Sequence, residues 1–114
     1  MMLCEQGDII EVDFDPSAGH EQQKLRPALV VSVGFHNNVL SSLVMVCPIT
    51  SGGKPHPLHV PVAPSNAVHG YVCLEQMRAV DLASPLRRAR ALDAHLDRET
   101  MADVLDGIGA MFGI

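Results

Sequence analysis

The sequence predicts a mainly β domain in which a small, twisted, barrel-like sheet is closed by a C-terminal helix. Short apolar or alternating segments, separated by turn-forming residues, recur through most of the chain, as in small all-β proteins. Helical periodicity appears only near the end. The 114 residues are 47% apolar and carry a net charge of −5. This composition excludes a disordered chain and predicts one domain, spanning residues 1–114.

The first half of the chain contains three predicted strands. Residues 7–14 alternate largely between apolar and acidic side chains, which is typical of a half-buried strand. Residues 27–33 form a continuous run rich in valine, which favours a strand buried on both faces. We expect Pro27 to open that strand, because proline cannot donate to a ladder. Residues 43–49 form the third predicted strand.

The second half begins with a predicted loop at 50–57, where two Gly and two Pro exclude regular structure. Short strands are then predicted at 59–62, 70–74 and 77–82. A helix is predicted to begin after Asp97, a good N-cap residue. Apolar residues follow it at helical spacing: Met101, Val104, Leu105, Ile108, Met111 and Phe112.

The lack of a recognisable targeting signal and the cysteine usage predict a cytoplasmic protein that does not enter a membrane. The N-terminal residues lack a basic leader with an apolar stretch, and no apolar run approaches the roughly 20 residues that cross a bilayer. Cys4, Cys47 and Cys73 are odd in number and have no C-x-x-C spacing. We interpret them as reduced thiols.

Charge is unevenly distributed along the chain. The first 23 residues hold six acids and no Lys or Arg, whereas residues 78–98 hold five arginines against three aspartates. Overall acidity argues mildly against nucleic acid as a partner, because phosphate contacts favour a basic surface. The arginine-rich segment nevertheless leaves room for an anion site.

Three motifs occur in order along the chain. The first combines G-D-I-I-E-V-D-F-D-P at 7–16 with Gly19, E-Q at 21–22 and R-P-A-L-V-V at 26–31. The second is P-I-T-S at 48–51, and the third is L-E-Q-M-R-A-V-D at 74–81. Together they resemble the MazF/PemK toxins, which are ribosome-independent endoribonucleases of type II toxin–antitoxin modules.

The resemblance implies a small SH3-like barrel of the CcdB/PemK-like toxin fold that forms a homodimer. It also implies sequence-specific cleavage of single-stranded RNA, including mRNA, without metal or cofactor, leaving 2′,3′-cyclic phosphate and 5′-hydroxyl ends. A cognate MazE-like antitoxin, whose extended acidic tail covers the RNA groove, is the implied regulator. We expect the dimer interface to use strand ends and the terminal helix.

The family's catalytic arginine, threonine and acidic residue correspond to Arg26, Thr50 and Glu21. We interpret seven further residues as candidate RNA contacts: Gln22, Lys24, Ser51, Lys54, Gln76, Arg78 and Arg87. For Glu21 and Gln22 an ordinary loop position is equally compatible with the sequence. For Arg87 a purely solvated position is the stronger alternative.

The residue types themselves fit this chemistry. A guanidinium offers a bidentate fork for phosphate oxygens, and the hydroxyls of Thr50 and Ser51 add neutral donors where a strand runs into a loop. Arg26 is a poor general base because an arginine pKa lies above about 12. We therefore predict Glu21, or a water beside it, as the base and Arg26 as charge stabiliser and candidate proton donor.

Metal sites are not predicted. Asp13 and Asp15 form a D-x-D without a third ligand nearby, and His56 and His59 lack a further ligand at zinc spacing. Two alternatives to the nuclease remain: a CcdB-like toxin that binds DNA gyrase without cleaving anything, and an inactive binding module of the same fold.

Overall fold

The computed structural model describes residues 3–15, 25–34, 42–52 and 55–114. These residues form seven strands, one helix and two 3₁₀ turns, Leu74–Gln76 and Pro85–Arg87. The strands are β1 Asp8–Asp13, β2 Leu25–Val30, β3 Leu43–Thr50, β4 His59–Pro61, β5 Tyr71–Cys73, β6 Arg78–Asp81 and β7 Arg90–His95, and the helix is α1 Arg98–Met111.

All strand pairs are antiparallel, and β3 is the strand on which the sheet divides. One edge of β3 pairs with β2, which continues to β1 and β7. Its other edge pairs with β6 through residues 43–46 and with β5 through Ile49 and Thr50. β4 then pairs with β5. This branched antiparallel sheet with a terminal helix confirms the predicted fold class.

β2 corrects one sequence prediction. Pro27 does not open the strand but lies inside it, opposite Glu11 of β1. The pairing of β2 with β3 begins only at Ala28, so at Pro27 the strand has β1 as its single neighbour. The amide hydrogen that proline lacks is therefore not needed for pairing with β3. β2 also ends at Val30, earlier than expected.

β7 was missing from the predicted elements. Its sequence, RALDAH, is rich in charged residues and helix formers, and four of its six residues are exposed. It becomes a strand because it pairs with β1, through a register shift between Ile9 and Ile10. Tertiary pairing therefore overrides the local preference.

Apolar side chains are buried on both faces of the sheet, as predicted for its central strand. Neighbouring residues of one strand alternate between two clusters: Ile9 and Leu29 belong to one, and Ile10 and Ala28 to the other. α1 covers the first cluster with Val104. None of the helices in the described ranges is long and apolar enough to cross a membrane.

α1 begins as predicted. The Asp97 carboxylate accepts a hydrogen bond from the Thr100 amide at 3.0 Å, which makes Asp97 the N-cap. Buried Asn66 donates to the same carboxylate at 2.7 Å and accepts from the Asp97 amide at 2.9 Å. The helix is therefore fixed to the loop that precedes β5.

Candidate active site

A cleft opens where β2 and β3 stop pairing. Their ladder ends at Ala28 and Pro48, and the same register continued by two residues would set Arg26 opposite Thr50. Arg26 instead pairs only with Val12 of β1, while Thr50 pairs with β5. The two strand ends thus separate around a cavity of about 260 Å³.

Four polar residues line this cleft: Arg26, Thr50, Ser51 and His69. Arg26 and Thr50 are half-buried, and Ser51 and His69 are exposed. The structure therefore brings the guanidinium and the hydroxyl predicted to act together onto one cavity. Among the described residues, three apolar side chains also line it, namely Leu25, Pro27 and Ile49.

His69 was absent from the sequence-based site. No motif marks this position, which lies between two short predicted strands. It reaches the cleft because β5, which begins two residues later, pairs with the end of β3. A histidine beside an arginine and two hydroxyls supplies the kind of side chain that most often transfers protons in enzymes.

Gly70 fixes the backbone beside Thr50. Its φ is +121°, a conformation that favours glycine, and a Cβ there would overlap the Thr50 carbonyl oxygen and lie 2.9 Å from the Cα of Ser51. The Gly70 carbonyl accepts a hydrogen bond from the Val62 amide at 2.9 Å. Close approach of these two segments, which only glycine permits, thus holds one wall of the cleft.

The buried Cys73 thiol is influenced by both predicted catalytic residues. Burial, followed by the negative charge of Glu75, raises the pKa of Cys73, whereas the Arg26 guanidinium and the Thr50 amide act in the opposite direction. The charge of Arg26 therefore acts on the Cys73 thiol. Among the described residues no carboxylate pairs with the Arg26 guanidinium.

Within the described ranges, three arginines of the C-terminal half, unlike Arg26, bind groups of the protein itself. Arg90 pairs with Glu11 at 2.7 Å, and Arg88 pairs with buried Asp13 at 3.1 Å. Arg87 donates through Nη1 to the backbone carbonyl of Asp13 at 3.1 Å. The acidic first strand and the arginine-rich later segment thus neutralise each other across the sheet, which explains the uneven charge distribution.

Three predicted RNA contacts, Gln76, Arg78 and Arg87, are absent from the described cleft lining. Gln76 is exposed in the 3₁₀ turn after β5. Arg78 is exposed, stacks 5.8 Å from the centre of the Phe14 ring and donates to the Phe14 carbonyl at 3.2 Å. Arg87 also donates to that carbonyl, at 3.2 Å. Both arginines anchor the end of β1, and their contact with RNA stays a prediction.

Four predicted site residues fall outside the described residues: Glu21, Gln22, Lys24 and Lys54. Glu21 and its neighbours belong to the segment that immediately precedes β2 in the sequence, and Lys54 belongs to the loop after β3. Their roles stay predictions.

A histidine–carboxylate cluster forms next to the site, although no metal was predicted there. The donor atoms of His56, His59 and Glu75 lie within 4.8 Å of one another. Two of these donors are already engaged: His59 Nε2 bonds Glu75 Oε2 at 2.7 Å, and His56 Nδ1 accepts from the Leu58 amide at 3.0 Å. Internal hydrogen bonds thus join His59 to Glu75 and His56 to the backbone of its own loop.

A second cavity, of about 240 Å³, lies between β1 and β7 at their register shift. Asp8 and His95, hydrogen-bonded to each other at 3.0 Å, line part of it. Its described lining contains no arginine and no hydroxyl. It therefore lacks the groups that would hold a phosphate.

The sequence of the chain matches the model of a known protein family. Residues 5–112 match the model of the PemK-like, MazF-like toxins of type II toxin–antitoxin systems. The endoribonuclease toxin ChpB of Escherichia coli K12 is 42% identical over 98 residues, which cover 79% of this chain and 80% of that protein. The endoribonuclease toxin MazF of the same strain is 35% identical over 74 residues, 65% of each protein.

Solved structures agree with the sequence comparison. The structure of MazF from Deinococcus radiodurans superposes with a TM-score of 0.82 and 32% identity, covering 100% of both chains. A chain from the MazE–MazF crystal structure of the same organism gives a TM-score of 0.80 and 27% identity, covering 100% of this chain and 99% of that chain.

Proposed function

The chain belongs to the PemK-like, MazF-like family of toxins of type II toxin–antitoxin systems, and we propose that it is an endoribonuclease that cleaves single-stranded RNA in the cleft between β2 and β3. The observation that carries this proposal is the meeting of Arg26 and Thr50 on one cavity. The two residues belong to different motifs of the sequence. Both lie where the ends of β2 and β3 separate around the cleft.

The proposed reaction uses the RNA's own 2′-hydroxyl as nucleophile. Its oxygen forms a new bond to phosphorus, the bond to the 5′-oxygen breaks, and a 2′,3′-cyclic phosphate and a 5′-hydroxyl result. One proton must leave the 2′-hydroxyl and one must reach the departing 5′-oxygen. The protein needs to stabilise the charge on the crowded phosphorane and to move these protons, and neither task requires a metal or cofactor.

Arg26 stabilises the charge on the phosphate. Arg26 is half-buried, and no carboxylate among the described residues forms an ion pair with it. These observations support the role, because a guanidinium can donate two parallel hydrogen bonds to phosphate oxygens. Partial exclusion of water strengthens such an interaction.

Thr50 and Ser51 add neutral donors. Thr50 is fixed by its pairing with Tyr71 and by the close approach of Gly70, so its position does not have to be organised when substrate binds. Ser51 follows at the exposed rim of the cleft. A donor aimed at developing charge contributes about 3 kcal/mol to transition-state stabilisation.

Glu21 is the proposed base for the 2′-hydroxyl. A carboxylate is unprotonated at neutral pH, whereas a guanidinium keeps its proton, so Glu21 fits this task better than Arg26. In the sequence it stands four residues before β2.

The proposed partners are single-stranded RNA, a MazE-like antitoxin and a second copy of the chain, in the cytoplasm. A MazE–MazF complex is among the similar structures. The positive charge of the Arg26 guanidinium suits both an RNA phosphate and an acidic antitoxin segment. Apolar side chains exposed in the middle of α1 and directly after it, Leu105 and Phe112, support a dimer that uses the helix.

The test uses purified protein, a mixed RNA and an excess of EDTA. We expect cleavage by the wild type, a loss of at least about a hundredfold in Arg26→Ala, and unchanged cleavage by the control Arg90→Ala, whose guanidinium pairs with Glu11 on the sheet surface. Mapping of the products should give cyclic phosphate and 5′-hydroxyl ends.

No cleavage of any RNA by the wild type would refute the nuclease. Inhibition of DNA gyrase in its place would establish the CcdB-like alternative. The relatives ChpB and MazF are named as endoribonuclease toxins, and this favours the nuclease over the alternative.

A further inference from the structure

We propose that His69 is the general acid of the reaction, donating a proton from its imidazolium to the departing 5′-oxygen of the RNA. This inference rests on the proposed function and assigns to His69 the proton donation for which the sequence had made Arg26 the candidate. An arginine is a weak proton donor because its pKa lies above about 12. Among the cleft-lining residues, Arg26 and His69 are the two that carry ionisable side chains.

The order of the strands places His69 on the side of Thr50 away from Arg26. β3 lies between β2 and β5, so its end residue Thr50 has Arg26 on one flank and the residues leading into β5 on the other. His69 and Gly70 are those residues. A phosphate held against Thr50 would thus have the guanidinium on one side and the imidazole on the other.

This arrangement matches the demands of an in-line displacement. The attacking and leaving oxygens lie on opposite sides of phosphorus, so the base and the acid must approach from opposite sides as well. His69 belongs to the segment that enters β5, on the flank of Thr50 away from Arg26. A base that takes the 2′-proton from the other flank leaves His69 to protonate the 5′-oxygen.

The backbone holds His69 in place. The neighbouring Gly70 packs on the Thr50 carbonyl and bonds the Val62 amide, and Tyr71 pairs with Thr50. The His69 side chain itself is exposed at the rim. A fixed backbone with an open side chain suits a group that must meet a substrate and exchange its proton with water between turnovers.

The test compares His69→Gln with the matched control His95→Gln, whose histidine lies outside the cleft on β7. At the cut site mapped for the wild type, one substrate carries the natural 5′-oxygen and a second carries sulfur in its place. A thiolate departs without protonation because the pKa of a thiol is about 8.5, far below that of an alcohol.

We expect His69→Gln to cleave the natural substrate at least about a hundredfold more slowly and to cleave the sulfur substrate at close to the wild-type rate. His95→Gln should match the wild type on both. Wild-type cleavage of the natural RNA by His69→Gln would overturn the proposal, as would an equal loss on both substrates. A wild type that cuts no RNA would remove the proposed function, and this inference with it.

Discussion

Gly70 packs against the backbone of Thr50 so closely that no other residue fits there without displacement. A Cβ on Gly70 would overlap the Thr50 carbonyl oxygen and lie 2.7 Å from its carbonyl carbon. The positive φ of Gly70 adds strain for any side chain. Since both obstacles are backbone, neither is relieved by a rotamer change, and the position of Thr50 depends on this glycine.

Gly70→Ala should therefore damage the site as well as the fold. We expect a stability loss of about 3 kcal/mol and a fall in kcat/KM of at least about tenfold, measured at a temperature where the variant remains folded. The control is Gly109→Ala in α1, where the nearest heavy atom would lie 3.6 Å away. Full activity in folded Gly70→Ala would show that the Thr50 position tolerates displacement.

The Thr50 hydroxyl can be separated from its packing. Thr50→Val keeps the β-branched shape that pairs with Tyr71 but removes the donor, and we expect kcat/KM to fall about a hundredfold, equivalent to about 3 kcal/mol. Thr50→Ser keeps the donor and should stay within about tenfold of the wild type. Equal losses in both variants would assign Thr50 a packing role only.

The sequence predicted those parts of the molecule whose signal is local. Residues 7–14, residues 43–49 and the helix after Asp97 all have clear periodicity or a cap, and all appear in the structure close to the predicted positions. β7 lacks such a local signal, because this segment becomes a strand only through its pairing with β1. Pro27 was misplaced because local reasoning could not show which of its strand's two edges has a neighbour.

The site divides in the same way. Arg26 and Thr50 were predicted because each belongs to a motif, and the register of β2 and β3 brings them together. His69 and the approach of Glu75 to His59 depend on the pairing of β5 with β3 and β4, which no local pattern reveals. Long-range strand register was thus the missing information.

Cleavage should persist when metals are removed. The donor atoms of His56, His59 and Glu75 that engage each other or the Leu58 amide would have to give up these bonds to hold a cation. We expect the same RNA cleavage rate with excess EDTA, measured by gel at matched ionic strength, and no gain from added Zn²⁺. Loss with EDTA and recovery with one cation would point to a metal at this cluster.

The three thiols should be unreactive in the folded protein. Cys4, Cys47 and Cys73 form no disulfide among the described residues, and all three are buried. Burial raises the pKa of Cys47 to about 12 and that of Cys4 to about 11, and it also raises the pKa of Cys73. Since the thiolate is the nucleophile, these groups stay protonated and inert near pH 8.

Reaction with a thiol reagent at pH 8 should be slow in native protein and fast for three groups in denaturant. A control variant, Ser65→Cys, places a thiol at an exposed position and should add one rapid reaction in the native state. Rapid labelling of a native cysteine in the wild type would contradict the burial that underlies this prediction.

Acid should weaken the attachment of α1 through Asp97. Hydrogen bonds from Thr100 and then from Asn66 lower the pKa of Asp97 to about 2, compared with 3.8 ordinarily. A carboxyl whose pKa is lower in the folded state stabilises the fold above the unfolded value and loses this effect as pH falls. The Asp97 contribution is therefore complete above pH 4 or so and disappears between about pH 4 and pH 2.

We expect Asp97→Asn, whose side chain does not titrate, to have a lower Tm than the wild type at pH 7 and a difference that shrinks as pH falls through this range. The control is Asp103→Asn, an exposed carboxylate on the same helix but away from the cap. Its Tm difference from the wild type should change less with pH. A constant difference for Asp97→Asn across the range would show that the carboxylate charge does not stabilise the helix start.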